Sequence, residues 1–192
     1  MMRSITELLG RSHHMYIFVH SVTSVGEMPG INLNDDESYR ALILAREQDI
    51  VVVPSPVEDD FLDYLSELGL EVNPKRIVVA SEGSSLSCTA PLSEMLLVNS
   101  LALEKIKSLA DTELVILSAF IASHKEWRLA QRLEQVLQQQ VHLLGASPEV
   151  VQRVNLKHNS RQKAIDFGVP VAPSEVVHLR LKANGRPSTL RP

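Results

Sequence analysis

Short runs of unbroken Val, Ile and Leu recur along this chain, separated by stretches with helical periodicity. Asp49 leads into Ile-Val-Val-Val53, Arg76 into Ile-Val-Val-Ala80, and Glu113 into Leu-Val-Ile-Leu117. A strand with one face in water alternates apolar and polar residues, whereas a run apolar at every position suits a strand buried on both faces. Such strands belong to parallel sheets with helices packed above and below. Two further strand candidates, Met15 to Val22 and Val141 to Leu144, complete the series.

The intervening stretches carry helix signals. Asn34-Asp-Asp-Glu37 has the capping-box pattern and predicts a helix through about Gln48. Phe61, Leu65 and Leu68 form one stripe of a helix that Gly69 ends. One long helix is predicted from Leu92 to Ala110, with Met95, Leu96, Leu103, Ile106 and Leu109 on its apolar side. Ser123-His-Lys-Glu126 is a second capping box, opening a helix with Trp127, Ala130, Leu133 and Leu137 inward. Ser147-Pro148-Glu149 reads as an N-cap followed by proline at the first helical position. Strand–helix alternation with short links predicts an α/β fold, a Rossmann-like parallel sheet with helices on both faces.

Composition narrows the function classes. Apolar residues make up 44% of the 192 and aromatics only 4%, so the core must be mainly aliphatic. Net charge is −4, and no Lys/Arg run resembles a nucleic-acid footprint. The single cysteine, Cys88, excludes an internal disulfide, and the seven histidines show no zinc-ligand spacing. The first ten residues lack the apolar core of a secretory signal. No apolar run approaches the roughly 20 residues that span a bilayer. A cytoplasmic protein without membrane or nucleic-acid partners is expected. The Walker A loop, the Gly-x-Gly-x-x-Gly fingerprint and the Gly-x-Ser-x-Gly elbow are all missing.

The most informative segment runs from Lys157-His-Asn-Ser-Arg161 through Ile-Asp-Phe-Gly168 to Val-Pro170-Val-Ala-Pro173. Its two cations, four residues apart, share one helix face. Gly168 stops that helix, and Pro170 and Pro173 bar its continuation. On this reading alone the pair serves equally well as a solvated helix face. A strand is predicted at Val176 to Leu181, then a polar tail from Ala183 to Pro192. The boundary between the Rossmann-like domain and this helix–turn–strand extension is placed at residue 146, giving domains 1–146 and 147–192.

This segment resembles the opening of an ATP-grasp ligase, an enzyme that uses ATP to activate a carboxylate and join it to an amine. The whole layout is similar to a pre-ATP-grasp domain running into an ATP-grasp domain. The peptide-ligase branch is the nearest likeness, through Asp49-Ile-Val-Val-Val-Pro-Ser-Pro56 leading to Phe61-Leu-Asp-Tyr64, and through the helix from Glu126 followed by Val141 to Gly145. The resemblance implies that Lys157 and Arg161 contact nucleotide phosphates. It implies ATP and magnesium as cofactors of the parent enzyme, with small carboxylate and amine substrates. The chain stops before most of a catalytic domain, so it is expected to be inactive alone, to bind neither cofactor tightly, and to need either the missing ATP-grasp half or self-association. An unpartnered strand at Val176 to Leu181 is expected to pair with another copy or to be poorly ordered.

Ligands of open parallel sheets sit beyond the carboxyl ends of the strands. There the sequence places Thr23 and Gly26 in the loop after the first strand, and Ser55 after the second. These are the candidate substrate-binding residues, and a plain connecting loop accounts for them too. The serines from 118 to 123 should join the same rim, where Ser123 and Glu126 are explained by helix capping alone. The rival reading is a stand-alone Rossmann-like interaction module that self-associates.

Overall fold

A computed structural model describes residues 14–21, 35–70, 72–86, 90–173, 180–181 and 187–188. The chain divides into two compact units, Met1–Val151 and Gln152–Pro192.

The first unit is built on five strands: β1 (His14–Val19), β2 (Ile50–Val53), β3 (Ile77–Val79), β4 (Leu114–Ala119) and β5 (Val141–Leu144). Every pairing is parallel and the order is β3-β2-β1-β4-β5. Ile17 of β1 lies opposite Ile50 on one side and Leu117 on the other. The expected Rossmann-like parallel sheet is therefore present. Among the described residues the α-helices of this unit are, in chain order, α1 (Ala41–Leu44), α2 (Asp59–Glu67), α3 (Leu92–Val98), α4 (Ser100–Leu109), α5 (His124–Leu137) and α6 (Pro148–Asn155), the last running across the unit boundary.

Alternation along the strands divides the core into two clusters. Met15, Ile17 and Val19 join Ile50, Val52, Val78, Val115 and Leu117 beneath Leu96, Ile106, Leu129 and Leu133 of the helices α3 to α5. Phe18, Val51, Val53 and Ile77 meet Ala41 and Leu42 of α1 and Leu65 of α2 on the opposite face. All four β2 residues are buried, as their unbroken apolar run requires. Burying each such side chain contributes roughly 1.5–3 kcal/mol, so the sheet is the main source of stability.

Two helices differ from expectation. In place of one helix to Gln48, a 3-10 helix (Asp35–Arg40) passes into the single turn of α1, which ends where Ala45 takes ψ 144°. The cause is Asp49. Its buried carboxylate accepts bonds from the backbone N–H groups of Tyr16 and Arg46, both at 2.9 Å, and from the Arg46 guanidinium at 3.0 and 3.1 Å. This ties the chain back to the start of β2 and raises the Arg46 pKa, chiefly through the Asp49 hydrogen bond. Asn34, the expected cap, lies outside the described residues.

The long helix from Leu92 is likewise two helices, broken at Asn99 (φ −100°, ψ 94°). The Asn99 side chain is fully buried and accepts from Ala102 N–H at 3.0 Å, capping α4. Its amide donates to the carbonyls of Ala80 at 3.0 Å and Glu82 at 2.7 Å. A residue that satisfies three backbone groups of different elements competes successfully with one helical turn.

Trp127 also departs from its inward assignment. It is 36% exposed and donates its indole N–H to the Ala146 carbonyl at 3.4 Å. In α2, Leu65 is 1% exposed, but Leu68 at the end of the stripe is 58% exposed. Gly69 ends α2 as expected, with φ +76° and the paired bonds Gly69 N–H to Ser66 carbonyl and Leu70 N–H to Leu65 carbonyl.

In the second unit α7 (Lys157–Asp166) repeats that ending. Gly168, at φ +70°, donates to Ile165 and Val169 donates to Ala164. No residue of α6 or α7 is buried. Of the strand expected at Val176 to Leu181, β6 (Arg180–Leu181) pairs antiparallel with β7 (Pro187–Ser188) of the same chain, and residues 176–179 lie outside the described residues. Arg180 and Leu181 thus have one strand partner within the chain, Ser188 and Pro187.

Candidate functional site

The strand order fixes where a site belongs. From β1 the chain winds outward through β2 and β3, then crosses back to β4 on the other side of β1. The carboxyl ends of β1 and β4 therefore flank the switch point, where neighbouring connections leave in opposite directions and open a crevice. His20 and Ser21 follow β1, and Phe120 to Ser123 follow β4.

His20 ends a stripe of rings on one face of β1. Successive centroids from His14 to Tyr16, Phe18 and His20 are 5.4, 5.5 and 5.6 Å apart, and Phe120 continues the line 6.4 Å beyond His20. Arg40, closing the 3-10 helix, holds its guanidinium carbon 3.8 Å above the centre of the Phe120 ring. His20 is 6% exposed, and its Nδ1 has no hydrogen-bond partner among the described residues. Burial, and secondarily the Arg40 charge, lower its pKa from 6.5 to about 4. The ring is therefore neutral at physiological pH, able to donate or accept one hydrogen bond at a nitrogen but not to act as a cation.

The serine rim is mostly structural. Ser21 Oγ accepts from Leu92 N–H at 3.3 Å. The buried Glu126 carboxylate takes bonds from Ser93 Oγ at 2.8 Å, Ser123 N–H at 2.9 Å and Ser123 Oγ at 2.5 Å, so the capping box accounts for Ser123 and Glu126. Ser55 is half-buried beyond β2, its carbonyl accepting from the Tyr39 hydroxyl at 3.0 Å. Thr23, Gly26 and Cys88 lie outside the described residues.

Lys157 and Arg161 occupy successive turns of α7, in the other compact unit from Ser55. Lys157 is exposed, while Arg161 is half-buried and reaches the Ala172 carbonyl at 3.5 Å. Its Nε is buried with no partner among the described residues. A guanidinium and an ammonium can each bond phosphate oxygens. Among the described residues no group of three or more His, Cys, Asp or Glu could hold a metal ion. Nor is any helix among them long and apolar enough to cross a membrane.

A family model described as the pre-ATP-grasp domain matches residues 38–135, just over half of the chain. The chain belongs to that family. No curated protein and no solved structure matches it. The pre-ATP-grasp match runs from Ser38 through β2, β3 and β4 to the last turn of α5. It includes Arg40, Ser55 and Phe120, and leaves His20, Lys157 and Arg161 outside.

Sequence reading passed over His20, Arg40 and Phe120 as a group. The available signal was the two-residue spacing of His14, Tyr16, Phe18 and His20, which puts four rings on one face of a strand in a chain with few aromatics. Nothing in the sequence brings Arg40 and Phe120, eighty positions apart, to the same corner.

Proposed function

We propose that this pre-ATP-grasp chain is the N-terminal, substrate-side part of an ATP-dependent carboxylate–amine ligase of the peptide-ligase type. The observation that carries the reading is the family match across residues 38–135 of a doubly wound sheet. In this reading the carboxyl edge of the sheet holds the small carboxylate or amine substrate. Lys157 and Arg161 on α7 meet nucleotide phosphates, which bound ATP would supply for carboxylate activation. The magnesium carboxylates come from a further ATP-grasp segment or a partner, and this chain alone does not complete ligation.

Calorimetric titration with MgATP tests the nucleotide part. The expectation is weak binding, with a Kd of about 1 mM or poorer, weakened further in a Lys157→Ala/Arg161→Ala variant. Affinity indifferent to both substitutions removes the two cations from the nucleotide site. Tight binding by the wild type contradicts the need for a further segment.

A second reading, a self-associating interaction module, is favoured by one specific observation. Phe167 is 81% exposed, beside Ile165 at 42% and Val169 at 53%, and bare apolar clusters mark interfaces. A dimeric solution mass that reverts to monomer with Phe167→Ser supports it.

A further inference from the structure

The corner where β1 and β4 end combines three properties that the folding of the domain does not explain. His20 is 6% exposed and leaves Nδ1 without a partner among the described residues, although buried polar atoms are almost always bonded. Arg40 stands over Phe120 at 3.8 Å and acts electrostatically on His20. Phe120 nevertheless keeps 45% of its surface open to solvent. A core position would have covered that ring.

We propose that the switch-point corner formed by His20, Arg40 and Phe120 binds the carboxylate of an aryl or branched-alkyl carboxylic acid. The neutral His20 imidazole donates one hydrogen bond to a carboxylate oxygen. Arg40 contributes its positive charge; it also has other interactions within the chain, and its role here does not depend on a vacant donor. The exposed part of Phe120 meets the apolar body of the acid. One neutral imidazole and one guanidinium suit a single negative charge. A phosphate dianion favours several cations or a nest of backbone N–H groups. The aryl or alkyl requirement follows from Phe120, since a purely polar acid gains nothing from that face. The physiological role, as a substrate subsite, rests on the ligase reading; the binding itself does not.

The test uses the full chain without nucleotide. Imidazole resonances of the assigned histidines are followed by NMR during titration with benzoate, benzamide and inorganic phosphate. Benzoate is expected to shift the His20 signals saturably, with benzamide and phosphate at least about tenfold weaker. Arg40→Gln and Phe120→Ala should each weaken benzoate by about tenfold, with unchanged circular dichroism. His20→Gln serves if either variant fails to fold, and should weaken benzoate to a similar extent. The proposal is overturned if His20 shows no saturable response up to about 20 mM benzoate, if benzamide binds equally well, or if folded Arg40→Gln keeps wild-type affinity. Those outcomes leave the ligase reading to the MgATP titration, which reads α7 instead.

Discussion

The sheet unit and the α6–α7 segment obtain their order by opposite means. In the first, β2 is buried at all four positions and β4 at four of six, and the helices above and below are held by what they cover. In the second, no helical residue is buried. Its order comes from ends and near neighbours. Glu149 is lowered in pKa by its own backbone N–H and by Ser147, and Asp166 by Gln162 and then Lys163. Gly168 closes α7. Isolated helices of ten residues are marginal in water, so the bonds at its ends and between near neighbours carry what order α7 has. The difference teaches that one chain can hold a self-sufficient layer and a segment whose apolar residues still face outward.

The comparison breaks most readily in the core. Leu117→Ala should cost about 2–5 kcal/mol, read from urea unfolding followed by the single tryptophan, Trp127. Ile165→Ala on α7 should cost less than about 0.5 kcal/mol. Equal costs would mean that α7 is buried in solution.

Acid comes next. Unfolded, His20 titrates at 6.5; folded, at about 4. Between these values the unfolded chain binds the additional proton, so stability is intact above pH 6.5 and lost as pH falls toward 4. The loss should be on the order of 2–3 kcal/mol, and His20→Phe should remove that part of the acid sensitivity. A profile identical in both proteins would show that His20 is solvated.

Asn99→Ala should cost about 2 kcal/mol. It removes the α4 cap and strands the carbonyls of Ala80 and Glu82. The smallest effect is at the other unit. Gly168→Ala introduces no clash, since nothing lies within 4 Å of the added Cβ, but it forces alanine to φ +70°. The strain is about 1 kcal/mol, seen as roughly fivefold faster amide exchange confined to the end of α7, with the Trp127 unfolding transition unchanged.

Much of this fold is legible because its signals are local. The unbroken apolar runs at Ile50–Val53 and Ile77–Val79 announce doubly buried strands, and Gly69 and Gly168 announce helix ends, because the left-handed cap favours the residue without a Cβ. The Ser123–Glu126 box is likewise complete within four residues. The breaks at Ala45 and Asn99 were not legible. Each depends on partners distant in sequence: Tyr16 lies 33 positions from Asp49, and Ala80 lies 19 from Asn99. For the candidate site, Ser55 could be placed near a strand end from its run alone, whereas the meeting of His20, Arg40 and Phe120 could not.

By itself the sequence determined the layer architecture, the strand-and-helix order and the places where helices stop, since these follow from periodicity, propensity and caps that act over a few residues. Only the tertiary structure decided that β1 lies between β2 and β4, that Asn99 divides one helical stretch into two, and that a buried histidine comes within electrostatic reach of a guanidinium at the switch point. Those outcomes rest on hydrogen bonds, burial and charge between residues far apart in the chain, and a local pattern does not encode which distant partner wins.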